Sequence, residues 1–196
     1  SPSVWGAFAL LAALPWILRR ALDWRHRQRV YARWQSVKPK QFDRNLIVIG
    51  GGAAGLVSAY IAAVVKAKVT LVEAHKMGGD CLNYGCVPSK ALIKSANLAH
   101  KMKHADRYGL TPASPDVRFK AVMTRVQAVV KQVAPHDSVE RYTALGVDVV
   151  SGHAIIVNPW TVEITDAQRN KQTLTTRSIV IAAGAKPLVP PLPGLD

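Results

Sequence analysis

Cysteine, acid and long apolar runs are all scarce in this chain. Its 196 residues include two cysteines. That is too few for a disulfide-laced secreted scaffold, or for four thiolate ligands to a structural zinc. Acids number 12 against 26 Lys and Arg, a formal charge of +14. Such an excess points to an anionic partner, either a membrane surface or nucleic acid. The apolar run Val4–Leu18 (VWGAFALLAALPWIL) has 15 residues, short of the roughly 20 that a spanning helix needs. No low-complexity tract interrupts the chain, and 49% of it is apolar. Wholesale disorder is therefore excluded, and the length suits one domain plus an appendage.

The charge is concentrated at one end. Residues 1–44 hold nine of the basic residues and only two acids, Asp23 and Asp43. Six arginines lie between Arg19 and Arg33, interleaved with Trp24 and Tyr31 and flanked by Trp16 and Trp34. Basic residues that follow an apolar run fit the cytoplasmic edge of a membrane segment with its aromatic belt. A secretory signal has them in front. Pro15 is expected to kink the run. A basic helix packed on its own domain and a nucleic-acid stripe are the rival readings. The expectation is a hydrophobic membrane segment over 1–18 and a basic juxtamembrane helix and linker over 19–44. Residues 1–34 would then face an anionic membrane surface, with no nucleic acid.

From residue 45 the pattern changes. Asn45–Ile49 (NLIVI) reads as a strand buried on both faces. It runs into Gly50-Gly51-Gly52-Ala53-Ala54-Gly55, then twelve small and apolar residues readable as a helix, then a second strand, Lys68–Val72, ending at Glu73. Strand, GxGxxG, helix, strand and acid, in that order, form the dinucleotide fingerprint. Gly50 permits the tight turn. Gly52 clears space for backbone N–H groups to reach a diphosphate. Gly55 lets the helix lie close to the strand. The helix start, with Ala53 and Ala54, favours anions. Glu73 lies 18 residues beyond Gly55, where its carboxylate can accept ribose hydroxyls and disfavour a 2′-phosphate. FAD or NAD is expected over NADP.

Next comes MGGDCLNYGCVPSKALI, Met77–Ile93. The chain turns helical from Pro88, so Cys86 lies near a helix start and Cys81 one loop earlier. A helix N-terminus stabilises a thiolate, and two close thiols can cycle through a disulfide. Zinc shared with His75 or His100, a structural disulfide and two inert thiols are the alternatives at this point.

The stretch GGDCLNYGCVPSK closely resembles the active-site motif of the class I pyridine nucleotide-disulfide oxidoreductases, which include dihydrolipoamide dehydrogenase, glutathione reductase and mercuric reductase. The resemblance runs from about Asn45 to the end. It implies an α/β, Rossmann-like FAD-binding domain over 45–196, with a parallel sheet, a β-meander and a helical excursion. By the same resemblance Cys86 is the thiolate against the flavin, forming a charge-transfer pair, and Cys81 is the interchange thiol. Lys90 stabilises the reduced flavin, and Gly79 and residue 80 lie at the FAD diphosphate. Relatives usually carry Thr where this chain has Asp80. An ionised Asp80 would repel phosphate unless it turned away, paired with Lys76 or capped the helix.

Phe119–Ala134 has Val122, Val126, Val129 and Val133 at helical spacing and reads as an amphipathic helix of the excursion. His100, His104 and His136 read as caps or solvated side chains. Val147–Val150, Ala154–Val157, Thr161–Thr165 and Gln172–Thr175 read as strands. The resemblance sets backbone near His153 and Ala154 against the adenine. Ser178–Ala183 is a last strand; Ala183 and Gly184, ahead of Ala185-Lys186-Pro187, match the family's ATG turn with Ala183 in place of Thr. The stretch after Pro187 reads as extended and proline-rich.

No second GxGxxG follows a strand, so the NAD(P)H domain is not recognisable. The later Gly-Asp flavin element and the dimerisation domain with its His–Glu pair are not present either. The expectation is an incomplete, inactive FAD half of a homodimeric parent on the cytoplasmic face of a bacterial inner membrane, some relatives carrying a SNARE-associated (VTT) membrane domain ahead of the flavoenzyme. That parent would pass electrons from NAD(P)H through FAD to Cys81–Cys86 and on to a disulfide or metal ion. A non-catalytic, membrane-associated FAD module and a mercuric-ion reductase are the alternatives.

Overall fold

A computed structural model describes residues 2–186, 188–192, 194 and 195, and side chains from Ala13 onward. Ser1, Pro187, Pro193 and Asp196 lie outside the described residues, as do the side chains of the apolar run before Ala13.

The run Arg44–Ile49 forms strand β1. Ile47 and Val48 point to opposite sheet faces and are both fully buried, as a strand covered on both sides requires. Helix α2 (Ala53–Val64) returns the chain to β2 (Val69–Glu73), which lies parallel to β1. On α2, Gly55, Leu56, Ala59 and Ala63 face inward. The last three pack with Val48, Val69, Leu71 and Val147 into one of two cores. The other, built from Ile47, Val72, Val162, Ile164 and Leu174, lies on the opposite face.

Two short steps follow, helix α3 (Gly79–Asn83) and then α4 (Cys86–Lys103). Helix α5 (Phe119–Val133) buries Val126 and half-buries Val122, Val129 and Val133, so the valine spacing faces inward as read. Arg125 on α5 donates to the Ala91 carbonyl of α4 at 2.9 Å, tying the helical excursion together. Helix α6 (Val139–Ala144) is capped by Ser138, which accepts from Arg141 N–H. Burial pushes the phenol of its Tyr142 above the usual tyrosine range.

Strands β3 (Val147–Ser151), β4 (His153–Asn158), β5 (Thr161–Thr165) and β6 (Lys171–Ile181) complete a six-stranded sheet in the order β3-β2-β1-β6-β5-β4. The first four strands in that order are parallel, and β6, β5 and β4 form an antiparallel meander. One expectation is corrected here. Gln172–Thr175 and Ser178–Ala183 are not two strands but one. The first half of β6 pairs with β5 and the second with β1. The polar break at the handover is Thr176, which is fully buried and donates to the Ser178 carbonyl at 2.9 Å. Arg44 locks the other end of β1, donating to Thr70 Oγ1 at 2.6 Å and to Asp148 at 2.7 Å.

The chain divides into two compact units, one ending at Lys40 and the other starting at Gln41. In the first, helix α1 (Pro2–Tyr31) runs on through Pro15, which therefore does not end it. Beyond Ala13 its apolar residues Leu14, Trp16, Ile17, Leu18, Leu22 and Trp24 are exposed. The Arg20 guanidinium stacks over Trp16 at 5.2 Å from the ring centre. Among the described residues no helix is long and apolar enough to cross a membrane.

Candidate active site at the strand ends

A parallel sheet opens a crevice at the carboxyl ends of its strands, where neighbouring connections leave in opposite directions. Here β1 has β2 on one side and β6 on the other. A cavity of about 670 Å³ occupies that place, lined by Gly50, Gly52 and Glu73, by Gly79 and Asp80, by His153 and Ala154, and by Ala183 and Gly184. Nine of the residues singled out in the sequence thus meet at one cavity. They come from five separate stretches of the chain.

The glycine turn is fixed by close approach. Gly50 has φ +106° and runs against β6; a Cβ there would lie 2.2 Å from the Ala182 carbonyl oxygen. A Cβ on Gly55 would lie 1.8 Å from the Gly50 carbonyl oxygen, so α2 touches the turn with no room for a methyl. Gly52 differs. A Cβ there would meet nothing nearer than the Gly79 Cα at 3.8 Å. Packing does not demand glycine at 52, and its missing side chain leaves the cavity open. Ala53 and Ala54 are exposed at the start of α2, whose first-turn N–H groups have no helical partner. Gly55 is buried behind them.

Glu73 has more to do than the sequence revealed. One carboxylate oxygen accepts from the Gly51 N–H, and the other accepts from the His75 N–H at 2.6 Å. The carboxylate that faces the cavity therefore also holds the glycine turn to β2. The Gly152 N–H donates to the Glu73 carbonyl at 2.9 Å and brings His153 and Ala154 alongside.

The cysteines lie at adjoining helices. Cys86 is the first residue of α4 and is exposed, while Cys81 is half-buried. Cys81 lies inside the short helix α3, not in a loop, and α4 starts two residues before Pro88. The thiols are not joined as a disulfide. The neighbouring Cys86 side chain, with burial, raises the Cys81 thiol above the ordinary cysteine range, while the Lys90 charge pulls it the other way. Lys90, one turn along α4, is exposed. Cys81, Cys86 and Lys90 do not line the cavity; the link between them is Asp80, Asn83 and Tyr84, which do. Asn83 donates to the carbonyls of Met77 at 3.1 Å and Gly79 at 2.8 Å. Lys76 lies over the Tyr84 ring at 5.6 Å. Asn83, Tyr84 and Lys186 were not picked out as site residues from the sequence. The position of Asn83 between the two cysteines was the available signal.

A dinucleotide fits this donor set. There is open space where Gly52 lacks a side chain, a free helix start beside it, and a carboxylate and strand-end backbone at the far wall. Against it stands one feature, the Asp80 carboxylate. No three-residue His, Cys, Asp or Glu cluster suited to a metal occurs among the described residues.

Comparison with known proteins agrees. The chain is 36% identical over 149 residues to dihydrolipoyl dehydrogenase of Zymomonas mobilis, covering 72% of this chain and 30% of that protein. It is 35% identical to a dihydrolipoyl dehydrogenase of Bacillus subtilis, covering 78% and 33%. It is 32% identical to mercuric reductase of Bacillus cereus, covering 79% and 24%. The chain thus spans about a third or less of the length of these relatives. Among solved structures, a HOCl-induced flavoprotein disulfide reductase of Escherichia coli superposes with a TM-score of 0.64 at 24% identity, over 79% of this chain and 31% of that one. Proteins of this kind use FAD, with NAD(P)H as co-substrate. The family description "Pyridine nucleotide-disulphide oxidoreductase" matches residues 44–196, and the chain belongs to that family.

Proposed function

We propose that residues 44–196 are the FAD-binding, dithiol-bearing part of an NAD(P)H-dependent disulfide oxidoreductase. The observation that carries this reading is the placement of two free cysteines on adjoining helices, Cys81 inside α3 and Cys86 at the first position of the 18-residue α4. Bound FAD would supply two-electron chemistry between NAD(P)H and the cysteine pair. Gly52 and the start of α2 would hold its diphosphate, Glu73 its ribose, and the backbone at His153 and Ala154 its adenine. Ala183 and Gly184 would close the turn at the β6 end.

The thiols do the rest. The Cys81 sulfur attacks one sulfur of a substrate disulfide, forming a mixed disulfide and releasing one thiolate. The Cys86 sulfur then attacks Cys81, closing the intramolecular disulfide and releasing the second thiolate. Two electrons and the accompanying protons restore the dithiol. Lys90, one turn along α4, adds positive charge beside the pair and favours the thiolate form of Cys81. A soft metal ion such as Hg(II) is the second substrate class, favoured by the mercuric reductase likeness.

Thiol counting tests the reading. Diamide treatment of the folded chain should take the reactive thiols from two to none. Dithiothreitol should return them, and Cys86→Ser should leave one thiol that diamide cannot close internally. In the full-length protein, Cys86→Ser should also abolish the long-wavelength absorption of the two-electron-reduced state. Two thiols that survive diamide in the folded chain would leave only a non-catalytic flavin module.

We propose further that residues 1–34 attach the protein, as part of a homodimeric parent, to the cytoplasmic face of a bacterial inner membrane. Exposed Leu14, Trp16, Ile17, Leu18, Leu22 and Trp24 beside six arginines support this. Flotation with vesicles containing anionic phosphatidylglycerol should carry the chain upward, and removal of residues 1–40 should leave it at the bottom. Equal flotation of both would refute the attachment.

A further inference from the structure

Two acidic residues line the cavity, Glu73 and Asp80, and they differ in how they are held. Glu73 has both oxygens occupied by backbone N–H groups. Asp80 is exposed, and among the described residues no hydrogen bond or ion pair holds its carboxylate. Only its backbone is engaged, the Asp80 carbonyl accepting from the N–H groups of Tyr84 at 2.8 Å and Gly85 at 2.6 Å. Lys76, the nearest base in sequence, is placed over Tyr84 instead. Gly79, immediately before Asp80, touches Gly52 so closely that a Cβ on it would lie 2.7 Å from the Gly52 Cα. Asp80 is therefore carried to the open space beside Gly52. That is also where the diphosphate of a dinucleotide would lie, and a fixed negative charge there opposes it.

We propose that Asp80 sets the strength of cofactor retention, its unpartnered carboxylate holding dinucleotide affinity below what the glycine cradle alone would give. The proposal rests on the FAD reading above. It makes Asp80 a residue that lowers FAD affinity without abolishing binding. The positive groups lining the same cavity, Lys76 and Lys186, offset part of the repulsion without neutralising Asp80 by contact.

Dissociation constants for FAD, ADP and adenosine, measured by calorimetry on the 196-residue chain and on Asp80→Asn and Asp80→Thr, provide the test. At low salt both variants should bind FAD and ADP about ten-fold tighter, the order expected for removing one like charge near a protein surface. The advantage should shrink toward about two-fold at about 1 M salt, where charges are screened within a few ångströms. Uncharged adenosine should bind all three chains alike. Equal or weaker ADP binding by the variants would overturn the proposal. So would a shift that adenosine shares, since Asp80 would then act by shaping α3. If the folded chain and both variants bind neither FAD nor ADP, the FAD reading falls and takes this inference with it. If FAD binds but the variants do not differ from the parent chain, only the role of Asp80 falls. Circular dichroism verifies folding, and either substitution alone suffices should the other misfold.

Discussion

The two sides of the cavity are built on opposite terms. On the β1–α2 side, atoms are so close that glycine is compulsory at 50 and 55, and Glu73 is bound through both oxygens. On the α3–α4 side, Asp80 and Tyr84 line the cavity and are exposed, as are Cys86 and Lys90 just outside it. The first side is set by packing, and a substitution there is felt by the whole fold. The second is set by chemistry, and a substitution there is felt by a reactant. A cofactor needs a rigid seat, whereas the dithiol pair, with Cys81 half-buried and Cys86 exposed, must stay reachable by a reactant.

The contrast breaks most sharply at Gly55. Gly55→Ala forces a methyl into the Gly50 carbonyl, and either α2 or the turn must move. A loss of at least about 3 kcal/mol is expected, at or beyond the upper range for overpacking. Urea unfolding followed by circular dichroism measures it. A variant within about 1 kcal/mol of the parent, the scatter of ordinary substitutions, would show that the helix is not seated on the turn. At Glu73 the expected loss is smaller. Glu73→Ala leaves the Gly51 and His75 N–H groups without their acceptor and should cost about 1.5–3 kcal/mol of cofactor-free stability. If the same urea experiment shows no change, Glu73 serves a ligand alone. Smallest is the stability effect of Cys86→Ser. Its side chain is exposed, so less than about 0.5 kcal/mol is expected, although the redox pair is destroyed. A large stability loss at Cys86 would erase the difference between the two sides.

What could be read from the sequence followed from periodicity and compulsory residue types. β1, the glycine turn, α2 and β2 were legible because an apolar run, three glycines and an acid occur at spacings that few other arrangements tolerate. The valine face of α5 was legible for the same reason. The continuity of β6 was not. Thr176 and Arg177 look like a polar gap between the runs Gln172–Thr175 and Ser178–Ala183, and only the change of pairing partner explains a buried threonine there. The helix around Cys81 was not legible either, since five residues carry no period. Asn83, Tyr84 and Lys186 reach the cavity because of how α3 and the end of β6 turn, and no single residue type announces that. The anchoring duty of Glu73 escaped for a related reason: the fingerprint names its ligand and says nothing of the N–H groups it also accepts.

Strand β6 has a mechanical consequence. One unbroken stretch, Lys171–Ile181, serves two ladders at once, hairpin partners at its start and the central parallel strand at its finish. It splints the meander to the cavity wall. Adding a single residue between Thr176 and Ser178 would rotate every later side chain to the wrong face and would displace Ala183 and Gly184 together. The same addition among Asp166–Asn170, ahead of the splint, falls in a largely exposed loop that can absorb it. Evolutionary lengthening of this domain has room at that hairpin tip, and none at the seam.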